Sequence, residues 1–319
     1  VAYLRDIFGA FEKFSGLFIG LAQSRVSAER LLELVENDMV MQDAPEAIAA
    51  PRFQGRVEFK DVSFAYQPGK NVLQNLSFSV APGETVALVG RSGAGKSTLL
   101  SLLMRFYDPQ QGQILFDGHD LRALKLKSVR AQLTIVLQEA RLFRQTVREN
   151  IAFGKLEASE DEISAAAKLA EAHEFIMAMP EGYDTMIYEG GNNLSGGQKQ
   201  RINLARAIIR NTPLVIMDEP VTGLDANAEA KVNAAIQRLA RGKTTFIIAH
   251  KFSTVAGADK ILLLEEGQPA CFGTHEQLMS SSAHYRELYA LQFGWQKKWS
   301  KGEEATNGKL AAAHAVMVN

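Results

Sequence analysis

Gly90-Arg91-Ser92-Gly93-Ala94-Gly95-Lys96-Ser97-Thr98 follows the apolar run Val86–Val89 and leads into a helical pattern that begins near Lys96. Strand, glycine loop and helix form the context in which Gly-x4-Gly-Lys-Ser reads as a phosphate-binding loop. Gly90, Gly93 and Gly95 let the backbone bend so that successive N–H groups point at the β- and γ-phosphates of a nucleoside triphosphate, and the helix N-terminus adds its positive end. Lys96 supplies a mobile charge for the β/γ oxygens, while the Ser97 hydroxyl suits the coordination shell of a Mg²⁺ ion. A purely structural glycine turn is the competing reading, and the flanking strand and helix weigh against it.

Further groups gather at the ends of other apolar runs. Leu214-Val-Ile-Met-Asp-Glu219 delivers two carboxylates at the end of a buried strand, facing the loop across a sheet. Asp218 is placed to hold Mg²⁺ or its water, and Glu219 to polarise the water that attacks the γ-phosphorus. Gln138 and His250 end the runs Leu133–Leu137 and Phe246–Ala249. There Gln138 can reach Mg²⁺ and the attacking water, and His250 a γ-phosphate oxygen. Taken alone, each of these polar residues would read as an ordinary solvated strand end; the glycine loop upstream changes that weighting.

A second glycine loop, Leu194-Ser195-Gly196-Gly197-Gln198, opens the helical run that continues to Arg210, with Ile202, Ala205, Ile208 and Ile209 on one stripe. Ser195 reads as the N-cap, making this a second anion site at a helix start. One chain cannot easily fold both loops around one triphosphate, so the second loop calls for a nucleotide held by another copy.

The 319 residues hold 46% hydrophobic residues, enough for a large core, and 35 basic against 36 acidic side chains, so no global field invites nucleic acid. Cys271 has no partner for an internal disulfide and is expected to be a buried thiol in a reducing compartment. The chain opens on Val1 with no recognisable leader and is expected to be part of a longer one.

Residues 1–37 carry Leu4, Phe8, Phe11, Phe14, Phe18 and Leu21, then Leu31, Leu32 and Val35, at helical spacing. That predicts one long amphipathic helix of roughly 50 Å. Arg5, Asp6, Glu12 and Lys13 break the apolar run of about eighteen residues that a membrane span requires. Residues 38–54 read as a linker. Val57–Phe64 and Asn75–Val80 alternate as antiparallel strands. Val86–Val89, Leu133–Leu137, Leu214–Met217, Phe246–Ala249 and Ile261–Leu264 are short, almost wholly apolar runs suited to a parallel sheet covered on both faces. Helical patterns, Glu160–Met179 among them, predict a helical insertion between the runs ending at Leu137 and beginning at Leu214. Residues 294–319 read as a polar tail, although Trp295-Gln-Lys-Lys-Trp299 could touch a membrane surface.

With those residues in hand, residues 55–293 resemble the nucleotide-binding domain of ABC transporters. The resemblance implies an α/β P-loop NTPase fold: a RecA-like parallel-sheet core, an N-terminal antiparallel β-subdomain and a helical subdomain at about 139–212. It implies that Gly90–Thr98 is the Walker A loop, Leu214–Glu219 the Walker B strand with Glu219 as base, and Leu194–Gln198 the signature that closes on a partner's ATP. Gln138, Asp225 and His250 fall at the Q-loop, D-loop and switch positions, and Tyr66 at the aromatic that stacks on adenine. Glu189 is similar to the exporter X-loop glutamate, and residues 1–37 to the cytosolic end of the last transmembrane helix of type IV exporters.

The resemblance therefore implies an ATPase of an export machine for a lipid, drug or peptide. It would be fused to an upstream membrane domain, lie on the cytoplasmic face, and pair head to tail with a second copy or a homologous domain. Three positions depart from the usual pattern: Val221-Thr-Gly in the D-loop, Lys251-Phe252 after the switch histidine, and Tyr188 before Glu189. None removes a catalytic group. A soluble ABC-type ATPase, and an ATP-binding module without turnover, are the alternatives; Glu219 and His250 argue against the second.

Overall fold

The computed structural model describes residues 2–35, 41–249, 254, 255 and 257–290. The chain divides into two compact units, Val1–Gln42 and Asp43–Asn319. The first is essentially one helix, α1 (Ala2–Val35), as the spacing predicts. Phe11, Phe14, Leu17, Phe18, Ile19 and Leu21 on it are exposed. Among the described residues no helix is long and apolar enough to cross a membrane.

The second unit opens with a strap. Residues expected to be linker are docked from Asp43 onward: the Asp43 carboxylate accepts from the Leu126 N–H at 2.6 Å, Ser128 Oγ accepts from the Ala50 N–H at 2.8 Å, and Phe53 is buried. Next comes the hairpin β1 (Val57–Gln67) and β2 (Lys70–Val80), turning through Pro68-Gly69 with Gly69 at φ 81. Both strands run further than the alternation predicts. Asp61 and Asn75, at φ 49 and φ 50, lie where the pairing shifts register and the apolar-polar alternation is interrupted.

β3 (Thr85–Val89) leads into α2 (Lys96–Leu103). Two strands absent from the sequence reading follow, β4 (Gln111–Phe116) and β5 (His119–Asp120), joined through Asp117-Gly118. They complete an antiparallel sheet of order β2-β1-β4-β5. After α3 (Leu126–Arg130) and β6 (Leu133–Val136) come four helices: α4 (Val147–Ala152), α5 (Glu160–Leu169), α6 (His173–Met177) and α7 (Gly196–Arg210). Then follow β7 (Leu214–Asp218), α8 (Ala226–Ala240), β8 (Thr244–Ile248), β9 (Lys260–Glu265), β10 (Gln268–Gly273) and α9 (His275–Ser281).

The second sheet has the order β10-β9-β3-β8-β7-β6, parallel throughout except for β10 on β9. Alternate residues of its strands feed two cores. Val86, Leu88, Ile216, Phe246 and Leu262 pack with Phe59, Leu73 and Leu99 on one face, while Ala87, Val89, Met217, Ile247 and Leu263 pack with Ile202 and Ala205 on the other. Burial on both faces is why the middles of these strands are mostly apolar rather than alternating, with polar residues such as Thr85, Asp218 and Lys260 at their ends.

The stretch Glu160–Met179 is two helices rather than one. Glu171 sits at φ 56, and the bonds Ala172 N to Ala167 O at 2.8 Å and Glu171 N to Lys168 O at 3.1 Å close a Schellman cap. The Arg201 guanidinium donates to the Glu171 carbonyl at 2.7 Å, which helps a non-glycine residue hold that conformation. Cys271 lies on β10 and is half-buried, less enclosed than expected; burial raises its thiol pKa.

Candidate functional site

The glycine loop bends where a Cβ could not fit. At Gly90 (φ 151) an added Cβ would lie 2.3 Å from the Leu264 carbonyl oxygen, and at Gly95 (φ 98) 2.7 Å from Leu73 Cδ2. Gly95 is the N-cap of α2 and has no side chain to satisfy the helix's first N–H groups. Gly93 (φ 79) faces open space, and Ala94 is buried beneath the loop, while Arg91, Ser92 and Ser97 are exposed. Lys96 is only 7% exposed, and its ammonium folds back to donate to the carbonyls of Gly90 at 2.8 Å and Arg91 at 2.9 Å. Burial pulls its pKa below the ordinary lysine value, and the negative charges of Glu219 and Asp218 offset part of that pull.

Their pull on Lys96 puts the carboxylates at the end of β7 within electrostatic reach of the loop, although β8 lies between β7 and β3. Glu219 is in the left-handed region at φ 43, an uncommon conformation for a residue with a Cβ. The Thr222 hydroxyl donates to its carboxylate at 3.2 Å. Nothing in the sequence singles out Thr222 for this contact beyond its place in the unusual Val221-Thr-Gly stretch. Tyr66 joins the loop from β1, its hydroxyl donating to Thr98 Oγ1 at 3.2 Å, with its ring edge-on to those of Phe64 and Tyr107. Gln138 is exposed two residues beyond β6. His250 lies outside the described residues.

The second glycine loop is built as the spacing predicts. Ser195 Oγ accepts from the Gln198 N–H at 3.3 Å, while Gln198 Oε1 accepts from the Ser195 N–H at 2.9 Å, closing a capping box at the head of α7. Ser195 and Gly196 are exposed, and Gly197 packs so closely on α8 that an added Cβ would lie 2.6 Å from Ala228 Cβ. Asp225 caps α8, accepting from the Ala228 N–H at 2.9 Å. Ser195–Gln198 and Asp225 are thereby joined through α7 and α8. Among the described residues no hydrogen bond links Ser195 or Gln198 to residues 90–98. Glu189 begins a short helical turn next to an exposed Tyr188.

A parallel sheet whose strand passes through a glycine loop into a helix, with a buried lysine set against two strand-end carboxylates, defines a P-loop nucleoside triphosphatase. Residues 73–222 match the family described as ABC transporter, and the chain carries the ATPase domain of that family. It is 45% identical over 293 residues to a Bacillus subtilis ATP-binding/permease protein named for multidrug export, a match covering 92% of this chain and 50% of that one. It is also 45% identical over 284 residues to the ATP-dependent lipid A-core flippase of Syntrophus aciditrophicus, covering 89% of this chain and 47% of the flippase. A bacterial Atm1-family ABC exporter solved with ATP bound superimposes with a TM-score of 0.78 at 39% identity, over 90% of this chain and 48% of the exporter. The chain thus spans about half the length of the relatives it matches.

Proposed function

We propose that the chain is the motor end of an exporter: it binds ATP between two copies, hydrolyses it, and drives an upstream membrane domain to move a lipid, drug or peptide. The membrane would then carry this domain on its cytoplasmic face. The observation that carries the reading is the division of the site. A buried Lys96 feels Asp218 and Glu219, whereas the exposed Ser195–Gly196 loop at the head of α7 has no hydrogen bond to residues 90–98 among the described residues. Each loop is half of a site, and a second copy supplies the complement.

In this reading Tyr66 offers its ring to adenine, and the backbone N–H groups of residues 90–98 cradle the phosphates. Lys96 leaves the Gly90 and Arg91 carbonyls for the β/γ oxygens, exchanging neutral partners for charged ones. Ser97, Gln138 and Asp218 form an oxygen donor set that fits Mg²⁺, which when bound would neutralise charge on those oxygens. Glu219, held by Thr222, accepts a proton from water as the water oxygen bonds to the γ-phosphorus and the bond to the leaving β-phosphate oxygen breaks. His250 hydrogen-bonds a γ-phosphate oxygen. Ser195, Gly196, Gly197 and Gln198 of the second copy meet the same phosphate at a helix start, and Asp225, capping the adjoining helix, links the two sites.

The membrane-domain partner is supported by a cleft of about 260 Å³ between β6 and α7, whose lining includes Phe106 (46% exposed), Ile135 and Phe153 (52% exposed). Large apolar side chains clustered at a surface mark an interaction site. Glu219→Gln tests the motor: it should cut turnover roughly 10²- to 10⁴-fold, the usual contribution of a general base. It should also leave ATP binding intact, so the variant should elute as a dimer with ATP and a monomer without. A strictly monomeric variant at saturating ATP would sink the paired mechanism.

A further inference from the structure

Residues 137–144, which carry Gln138, belong to neither a strand nor a helix, so no backbone ladder fixes their course. Two side chains of α7 bracket Gln138 instead. Gln200 donates to the Leu137 carbonyl at 3.4 Å, and Arg206 Nη1 donates to the Arg141 carbonyl at 3.0 Å. The rest of the Arg206 guanidinium is spent on Asn150, Nε reaching its backbone carbonyl and Nη2 its Oδ1, both at 2.8 Å. Asn150 is wholly buried; its amide donates to Phe143 O and Thr146 O at 3.0 Å, and its Oδ1 accepts from the Phe143 N–H at 2.9 Å. One guanidinium therefore ties α7, α4 and the segment carrying Gln138 into a single piece.

We propose that Arg206 is a positioning residue for the hydrolytic reaction, holding Gln138 in place from the same helix whose N-terminus presents Ser195. The inference rests on the reading that Gln138 meets the nucleotide end of the site. The choice of arginine is informative. Partial burial lowers its pKa to about 10, it lines the same cleft as Arg130 and Arg210, and among the described residues it forms no ion pair: its partners are neutral carbonyls and the rings of Phe143 and Phe153, at 5.2 and 5.7 Å. What arginine adds is a planar fork that fixes several carbonyls at once. Because α7 also begins at Ser195, movement of Gln138 and of the second glycine loop is coupled through this one helix.

The test is a double-mutant cycle on ATP hydrolysis by the 319-residue chain, with Arg206→Met, Gln138→Ala and the pair. If Arg206 acts through Gln138, Arg206→Met should lower kcat between about 10- and 100-fold with Gln138 present, as displaced groups do. It should then change kcat by less than about twofold once Gln138 is alanine. Thermal midpoints recorded alongside separate positioning from stability, since a purely structural role would lower kcat by equal factors in both backgrounds. Equal factors, or a Gln138→Ala chain that hydrolyses ATP normally, would overturn the proposal. Should Arg206→Met fail to fold, Arg206→Lys keeps the charge without the fork and Gln200→Leu removes the other bracket; each enters the same cycle under the same criterion. Failure of the functional reading would look different, since a wild-type chain with no hydrolysis that Glu219→Gln can remove would take both readings down.

Discussion

Lys96 carries a charge to a place from which burial alone would expel it. Its pKa is lowered because water is gone, and the carbonyls of Gly90 and Arg91 replace only part of that solvation. Triphosphate oxygens would complete it, so the cost of burying the cation becomes affinity for the ligand. Lys96→Met should therefore abolish the gain that MgATP gives the wild-type chain, about 2.7 kcal/mol at a hundredfold excess over Kd. Melting with and without nucleotide measures this, and a Lys96→Met chain that still gains stability from MgATP would show that the loop does not hold the phosphates. At this scale the sequence is legible wherever a constraint is local: Gly90 to Thr98 are neighbours, and their spacing states their chemistry. Thr222 is less so, because its bond to Glu219 depends on the backbone of residue 219 turning to φ 43, which no residue type there announces.

The elements show why periodicity carries some of the fold and loses the rest. The five parallel strands are short, mostly apolar runs because they feed cores on both faces of the sheet, so they stand out in the sequence. β1 and β2 interrupt their own alternation at Asp61 and Asn75, and the break between α5 and α6 falls on Glu171 with no glycine to mark it. Asp61 and Asn75 are residue types that tolerate the left-handed region, yet only the pairing of β1 with β2 shows where it is used; at Glu171 the Arg201 bond supports a conformation that local preference does not favour. Gly197, legible in the sequence as part of the second glycine loop, has a packing constraint that appears only when α8 is in view. Gly197→Ala would gain up to about 1 kcal/mol of helix propensity. Its methyl would also sit 2.6 Å from Ala228 Cβ, short of any tolerable contact, and such overpacking costs about 1–3 kcal/mol. Crowding should win, lowering the denaturation midpoint. A variant as stable as wild type would mean that α7 and α8 can separate freely at this point.

For the molecule as a whole, the sheet gathers Lys96, Asp218 and Glu219 at one edge, while α7 presents Ser195 as a cap with its hydrogen bonds already closed on Gln198. The chain reads as two half-sites that two copies would complete. The proposal is legible in the order of the two loops, and the structure is consistent with it: the first loop runs from β3 into α2, and the second heads α7 against α8. The measurement that bears most directly on it mixes two inactive chains, Lys96→Ala, which lacks the phosphate-binding lysine, and Ser195→Arg, which blocks the second loop. Each alone should hydrolyse almost nothing. Mixed in equal amounts, they should recover about a quarter of wild-type hydrolysis, because half of randomly formed pairs are mixed and each mixed pair has one of its two symmetry-related sites intact. No recovery at any protein concentration, with both variants folded, or full activity from Ser195→Arg alone, would contradict the account.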